Sequence, residues 1–417
     1  MAGVLSGIKV LDLSRILAGP WCTQLLADLG ADVVKIERPG TGDDTRAWGP
    51  PFAEGLDGAP SAESAYFLAA NRGKRSVAVD FSTAAGQEIV RTLAKSTDVV
   101  VENLKYGDMR RYGLDYESLR ILNPGLIYCS ITGFGQTGPY RERAGYDFVI
   151  QAMGGLMSIT GESDDRSGGG PQKCGVPIAD MMTGMYATVA ILGALHERQT
   201  SNSGQYIDMS LLDTQVGWLA NHGLNYMVSG KPPKRWGNAH PNLCPYQSFP
   251  ASDGHLIVAV GNDRQFRALC RVLSMPSIGI DSRFATNSAR LANRDSLVDQ
   301  IEQCLRTKSR DEWLSALEEA GVPAGPINTV AQALEEPHVV SRGMVFSMEH
   351  GIGVCVPQIA NPIKFSRTGI EYLRPPPILG EHTSEILESI GLTQKNLEEL
   401  HASGVIHGRD RYPIDAG

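Results

Sequence analysis

The chain is predicted to be an α/β protein, with a large domain built on a parallel sheet and a smaller α+β domain. Three observations predict this. Short apolar runs alternate with helical stretches through the first 210 residues. The texture changes near residue 230, at the Pro/Gly-rich, basic stretch Gly230-Lys-Pro-Pro-Lys-Arg-Trp-Gly237. A length of 417 residues suits two or three domains with ample buried core.

The elements follow in order. Ile8–Leu13 is a short apolar strand, Pro20–Gly30 a helix stopped by glycine, and Val33–Ile36 a second strand. Ser76–Val79, Asp98–Val101 and Leu126–Ile131 are further strands, with helices near 84–95 and 115–121 between the later ones. Tyr206–Met209 adds another after a long helix that follows Asp180. Strands alternating with helices imply a mostly parallel sheet covered on both faces, a Rossmann-like arrangement. Beyond residue 237, Leu256–Val260 is a strand, and Gln265–Leu273, Arg294–Leu305 and Arg310–Ala320 are helical. The tail from Glu381 to Val405 is helical in pattern. The expected bounds are 1–210 for the large domain, 211–235 for a linker, 236–325 for the small domain, and 326–417 for the return to the large domain.

Composition narrows the function. Net charge is −8, from 38 basic and 46 acidic residues, which gives a nucleic-acid role no electrostatic support. The seven cysteines are scattered without a Cys-x-x-Cys pair, which argues against a zinc site or disulfide framework and fits a reducing compartment. No leader peptide or membrane span is expected, and the expected location is cytoplasmic.

Asp180 is the most informative residue. It stands in Gly175-Val-Pro-Ile-Ala-Asp180-Met-Met-Thr-Gly184, directly ahead of an apolar helical run. One reading is a helix N-cap. The other is a nucleophile, kept ionised by unpaired N–H groups and the positive end of the helix dipole. Gly133-Phe-Gly-Gln-Thr-Gly138 matches G-x-G-x-x-G after a strand, but Pro139 and Arg141-Glu-Arg143 follow in place of an apolar helix. The better reading is a tight loop where the backbone approaches a ligand or another chain. Arg38, Arg72, Lys74, Arg75, Lys105, Arg110 and Arg111 cluster in the N-terminal half. They form either a solvated face or a polyphosphate site such as the nucleotide end of coenzyme A needs. His240, in Trp236-Gly-Asn-Ala-His240, reads as a structural loop histidine from its pattern alone. Asp147 is a second carboxylate or a loop cap. No metal-ligand spacing and no Gly-x-Ser-x-Gly elbow are found.

Val10–Pro20, Ala27–Arg38, Gly42–Arg46, Asn71–Ser76, Val101–Asn103, Gly133–Pro139, Ala179-Asp180 with Thr183-Gly184, and Leu379–Thr383 resemble the class III (CaiB/BaiF-type) coenzyme A transferases, in order along nearly the whole chain. The resemblance implies that Asp180 attacks an acyl-CoA and carries aspartyl anhydride and aspartyl-CoA intermediates. It also implies coenzyme A contacts at Arg38, Lys74 or Arg75, Arg111 and Tyr112, with Leu17 and Ala18 along the pantetheine channel. Trp48 matches an active-site tryptophan of the formyl-CoA branch. That branch has a glutamine where Leu17 stands, and a run of glycines over the aspartate that this chain lacks. Oxalate is therefore not the expected acceptor, and the His240 loop is the expected replacement for the glycines. Arg46–Phe52 and Lys234–His240 are similar to members that use succinyl-CoA and a dicarboxylate such as glutarate. Arg46 is the expected clamp for the distal carboxylate, with a bland alternative as partner of Asp43 or Asp44.

The resemblance further implies an interlocked homodimer, with acyl-CoA as substrate and no tightly bound cofactor. Two alternatives remain. An α-methylacyl-CoA racemase would need a Gly-His-Asp motif where Gly145-Tyr146-Asp147 stands, and a tyrosine of ordinary pKa is a poor base. A non-catalytic module that binds coenzyme A is the other.

Overall fold

The structure, a computed structural model, describes residues 3–408, so the outer ends of the expected domain bounds lie outside the described residues. Six strands stand where the apolar runs predict them: β1 (Lys9–Asp12), β2 (Asp32–Glu37), β3 (Lys74–Val79), β4 (Val99–Glu102), β5 (Ile127–Thr132) and β6 (Tyr206–Ser210). They are parallel in the order β3-β2-β1-β4-β5-β6. The expected mixed α/β fold with a mostly parallel sheet is therefore present. β1, β3, β4 and β5 are buried along nearly their whole length, and each carries a short apolar stretch, Val99-Val-Val101 of β4 being the most continuous. A short strand, Ile406–His407, pairs antiparallel with β3, just past the helical pattern of the tail.

β2 and β4 both pair with β1, so the chain order reverses between β1 and β4. At such a reversal the loops after the two strands diverge and leave a crevice at their carboxyl ends. Val10, Leu26, Val33, Val99, Ile127 and Ile191 pack on one face of the sheet. Leu11, Ile36, Val77, Val100 and Tyr128 pack on the other, with Ile386 and Leu387 from the C-terminal helices.

Four helices matter for the site, α1 (Ala18–Asp28), α2 (Asp147–Met153), α3 (Ile178–Ser201) and α4 (Leu211–Gly217); α5 (Ala220–Ser229) follows them. α1 and α3 meet at Gly184, where an added Cβ would lie 2.6 Å from the Ala18 carbonyl oxygen. α3 is long and apolar enough, by length and composition alone, to cross a membrane, which the sequence reading did not expect. In the fold its Ala179, Thr183, Ala187, Ile191 and Leu195 are buried.

The expected linker 211–235 is mostly helical. Ser210 caps α4 by accepting from the Asp213 N–H, and α5 runs on to Ser229, so the irregular part starts only at Gly230. The chain forms two compact units. The first runs to Gly155, resumes at Gly175–Gly223, and returns from His338. The second holds Leu224–Pro337 and also Leu156–Cys174, a Gly/Ser/Asp-rich stretch with little periodicity to reveal it. In it, β7 (Tyr246–Pro250), β8 (His255–Ala259) and β9 (Ala324–Pro326) form an antiparallel sheet in the order β9-β8-β7. Phe249, Phe266, Leu269, Leu297 and Trp313 fill its core.

Candidate functional site

The turn Ser14–Leu17 leaves the carboxyl end of β1 and feeds α1. It is pinned from below by Asp12, whose buried carboxylate accepts from the Ser14 N–H (2.9 Å), the Ser14 hydroxyl (2.5 Å), Thr23 Oγ1 (2.6 Å) and Lys74 Nζ (3.1 Å). Burial alone would push this carboxyl up; Lys74, Lys35 and the two hydroxyls outweigh it and hold it at about 2. Lys35 Nζ donates to the Ser14 carbonyl at 2.7 Å and pairs with Asp43 at 3.0 Å.

Asp180 is the third residue of α3, and Pro177 occupies the N-cap position. The expected cap is therefore corrected: the helix is capped from elsewhere. Asp147, the first residue of α2, accepts from the Ala179 N–H at 2.8 Å and the Asp180 N–H at 3.3 Å through Oδ1. Its Oδ2 accepts from Gln151 Nε2 at 2.6 Å. This settles Asp147 as a cap that also sets a second carboxylate beside Asp180. Gly133 and Gly145 allow the approach of this loop: a Cβ on Gly133 would lie 2.6 Å from the Gly145 Cα. The first glycine of the G-x-G-x-x-G string thus serves close backbone packing. The Asp180 carboxyl is pushed up to about 7, first by burial and then by the Asp147 charge. The expectation that the helix end alone keeps it well ionised is corrected: desolvation and a like charge exceed the dipole.

Two cavities open along the carboxyl edge of the sheet. The first, about 120 Å³, is lined by Leu17, Ala18, Asn103, Gly133, Tyr146 and Asp180, together with Arg15, Lys105, Arg141 and Arg143. The second, about 500 Å³, is lined by Arg38, Lys35, Asp43, Phe81, Lys105 and Tyr112 among others. Arg15, Leu104 and Lys105 line both, so the two adjoin at the reversal between β1 and β4. Of the sequence-predicted residues, Leu17, Ala18, Tyr146 and Asp180 meet in the first cavity, and Arg38 and Tyr112 in the second. Trp48 packs edge-on against Tyr66, with ring centroids 5.1 Å apart. The Tyr66 phenol is pushed up to about 12 by burial and then by the Asp180 and Asp147 charges, which places the pair in the surroundings of Asp180.

Other candidates are placed elsewhere. Lys74 is fully buried and spends its ammonium on Asp12, the Pro20 carbonyl (2.9 Å) and Asn71 (2.8 Å); burial lowers it to about 8. Arg75 is held by Asp32 and Glu385. Both stand at the amino end of β3, and neither lines either cavity. Arg46 is buried and ion-paired, neither with Asp43 nor with Asp44: it donates twice to Glu37 at 2.8 Å, to Glu63 at 3.0 Å and to the Pro377 carbonyl at 3.0 Å. Its guanidinium also lies 3.6 Å from the centroid of the Phe67 ring. It is a core ion pair, so the expected carboxylate clamp is corrected. Arg111 is exposed, stacked on the Tyr112 ring at 4.7 Å, and does not line the cavity. His240 lies in the second unit, where its Nδ1 accepts from the Asn242 N–H at 3.0 Å and its ring packs on Tyr246. Sequence reasoning did not single out Arg15, Asn103, Tyr106 or Arg143 as site residues. The available signal was position: they lie in the loops that leave the carboxyl ends of β1, β4 and β5.

A crevice at a strand-order reversal, with Arg38 and Lys105 among acidic neighbours at one end and a carboxyl raised to about 7 at the other, can take a long substrate with a reactive tip. The profile of CoA-transferase family III matches residues 5–383, and the chain belongs to that family. It is 52% identical to the succinate–glutarate CoA-transferase of Agrobacterium fabrum, over 93% of this chain and 95% of that protein. It is 42% identical to the human succinyl-CoA:glutarate CoA-transferase, over 96% of this chain and 90% of that one. A crystal structure of a CaiB/BaiF family protein from Brucella suis superposes with a TM-score of 0.82 at 51% identity, covering 94% of this chain and all of that one.

Proposed function

We propose that the enzyme transfers coenzyme A from succinyl-CoA to a dicarboxylate such as glutarate, with Asp180 as the nucleophile. The observation that carries the reading is the cavity in which Asp180 stands with Leu17, Ala18 and Tyr146, adjoining a crevice that holds Arg15, Lys105 and Arg38. Arg38 and Lys105 are the crevice cations that suit the nucleotide diphosphate, set among the carboxylates of Asp44, Asp80 and Asp108, and the narrow end suits pantetheine and thioester. The strand order supports the Rossmann-like reading, and the names of the similar proteins support the substrates.

In the proposed sequence an Asp180 oxygen attacks the thioester carbonyl, the C–S bond breaks, and CoA leaves as the thiolate. The thiolate attacks the aspartyl carbonyl of the resulting anhydride and releases succinate, leaving an aspartyl-CoA thioester. The acceptor carboxylate then displaces the thiolate to form a second anhydride. The thiolate attacks the acceptor's acyl carbon and frees Asp180. No water or net proton is consumed, and the narrow cavity limits water that would hydrolyse an anhydride. With Arg46 committed to the core, Arg141 and Arg143 are the cations in the Asp180 cavity that suit the acceptor's distal carboxylate. The exposed Met185, Tyr186 and Val189 on α3 support a homodimer in which a second copy covers them; the interlocked form rests on the resemblance.

The test is a panel of mono- and dicarboxylic acids offered with succinyl-CoA, with products read by mass spectrometry. Dicarboxylates of about five carbons are expected to give acyl-CoA, and Asp180→Ala to abolish it. Turnover by Asp180→Ala, or equal use of monocarboxylates, contradicts the reading.

A further inference from the structure

The turn Ser14–Leu17 contains a backbone conformation that its own sequence disfavours. Ile16 has φ +70°, the left-handed region, which a β-branched side chain enters only under constraint. The constraint comes from other elements. Asn103, just past β4, grips Arg15 by both backbone groups: Oδ1 accepts from the Arg15 N–H at 2.8 Å, and Nδ2 donates to the Arg15 carbonyl at 2.6 Å. Asp43 accepts from the Ile16 N–H at 3.2 Å. The two-point grip spans the strand-order reversal, joining the loop after β1 to the loop after β4. Arg15, Ile16, Leu17, Ala18 and Asn103 all line the cavity that holds Asp180. The bent turn brings the start of α1 to that cavity, so Leu17 and Ala18 depend on Ile16 keeping its left-handed angle.

We propose that Asn103 is a positioning residue for CoA transfer, holding Ile16 left-handed so that the start of α1 faces the reacting centre. The proposal rests on the reading that Asp180 is the nucleophile. Without the grip, Ile16 relaxes to negative φ and the turn carries Leu17 and Ala18 out of register with Asp180. Glycine adopts the left-handed angle at no steric cost, so Ile16→Gly should compensate for the lost grip.

The experiment compares kcat and the KM for acyl-CoA in Asn103→Ala, Ile16→Gly and the double variant. Asn103→Ala is expected to lower kcat about 10- to 100-fold, the scale of the strain stored at one such residue, with KM changed less than about threefold. Ile16→Gly is the reference for the double variant: removing Asn103 should cost about tenfold less kcat in the glycine background than in the parent, and the double variant should run about tenfold faster than Asn103→Ala. Asn103→Asp, which keeps the acceptor and loses the donor, serves should the alanine variant not fold, and the same rescue is expected. A raised KM with intact kcat would make Asn103 a plain substrate contact and overturn the proposal. So would a double variant no faster than the single Asn103 variant. Failure of the nucleophile reading appears separately, as turnover by Asp180→Ala, because the Asn103 comparison is made with Asp180 in place.

Discussion

As the proposed nucleophile, Asp180 can attack only as a carboxylate, so under this reading its ionisation sets the pH dependence of the first step. With its carboxyl at about 7, roughly one part in eleven is ionised at pH 6 and roughly ten in eleven at pH 8. The kcat/KM for acyl-CoA should therefore rise about tenfold across that interval and level off above it. Burial is the larger cause of the shift and Asp147 the smaller. Asp147→Asn removes the smaller one, so the midpoint moves toward acid. Asparagine keeps an acceptor oxygen for the Ala179 and Asp180 N–H groups, so loss of the cap costs about 1 kcal/mol or less. The assay is initial rates below saturating succinyl-CoA from pH 5.5 to 8.5 at constant ionic strength. A flat profile in the parent enzyme, or an alkaline displacement in Asp147→Asn, refutes the reasoning. The same shift acts on stability. The folded-state pKa lies above the reference value of 3.8, so stability is fully present below that value and is lost as pH rises to about 7. The loss is at most about 4 kcal/mol before solvent screening at this half-buried group.

Further outcomes follow from the same geometry. Asp180→Asn should raise Tm at pH 8 and leave it nearly unchanged at pH 4 in calorimetry. Arg46→Gln should destabilise by about 3–5 kcal/mol, because Glu37 and Glu63 lose a buried partner, while the acceptor KM of the surviving enzyme stays near its parent value. Gly184→Ala should cost about 1–3 kcal/mol in denaturant unfolding, since its Cβ meets the Ala18 carbonyl oxygen at 2.6 Å. Arg38→Gln should raise the KM for acyl-CoA about tenfold, the loss of roughly one charged contact, and flatten its salt dependence.

The strands of the large sheet were legible because buried parallel strands are apolar on both faces, and Gly30, Asn71 and Pro124 punctuate them. Asp180 was legible as a residue at the start of a helix, but its cap was not. The capping carboxylate, Asp147, lies 32 residues away on α2, a relation that no local pattern encodes. Lys74 and Arg46 were misread for a related reason. A lone basic residue in a string looks solvated or ligand-bound, whereas Asp12 is 62 positions from Lys74 and Glu37 is nine from Arg46, so only the assembled sheet reveals the buried pairs. Helices α4 and α5 were hidden because a proline-rich stretch beyond them was taken to mark a longer linker. Arg15 and Asn103 stand inside segments that carry the family resemblance, but no role attaches to them or to Arg143 in the string; their place at the site comes from lying beyond the carboxyl ends of β1, β4 and β5.

The central claim is that Asp180 becomes covalently acylated. The most direct measurement is peptide mass spectrometry of enzyme incubated with succinyl-CoA alone, with and without a hydroxylamine quench. The account predicts a succinyl or CoA adduct on the peptide carrying Asp180, converted by hydroxylamine to the aspartyl hydroxamate and missing in Asp180→Ala. An active enzyme whose Asp180 peptide stays unmodified, or an adduct on another residue, would contradict it.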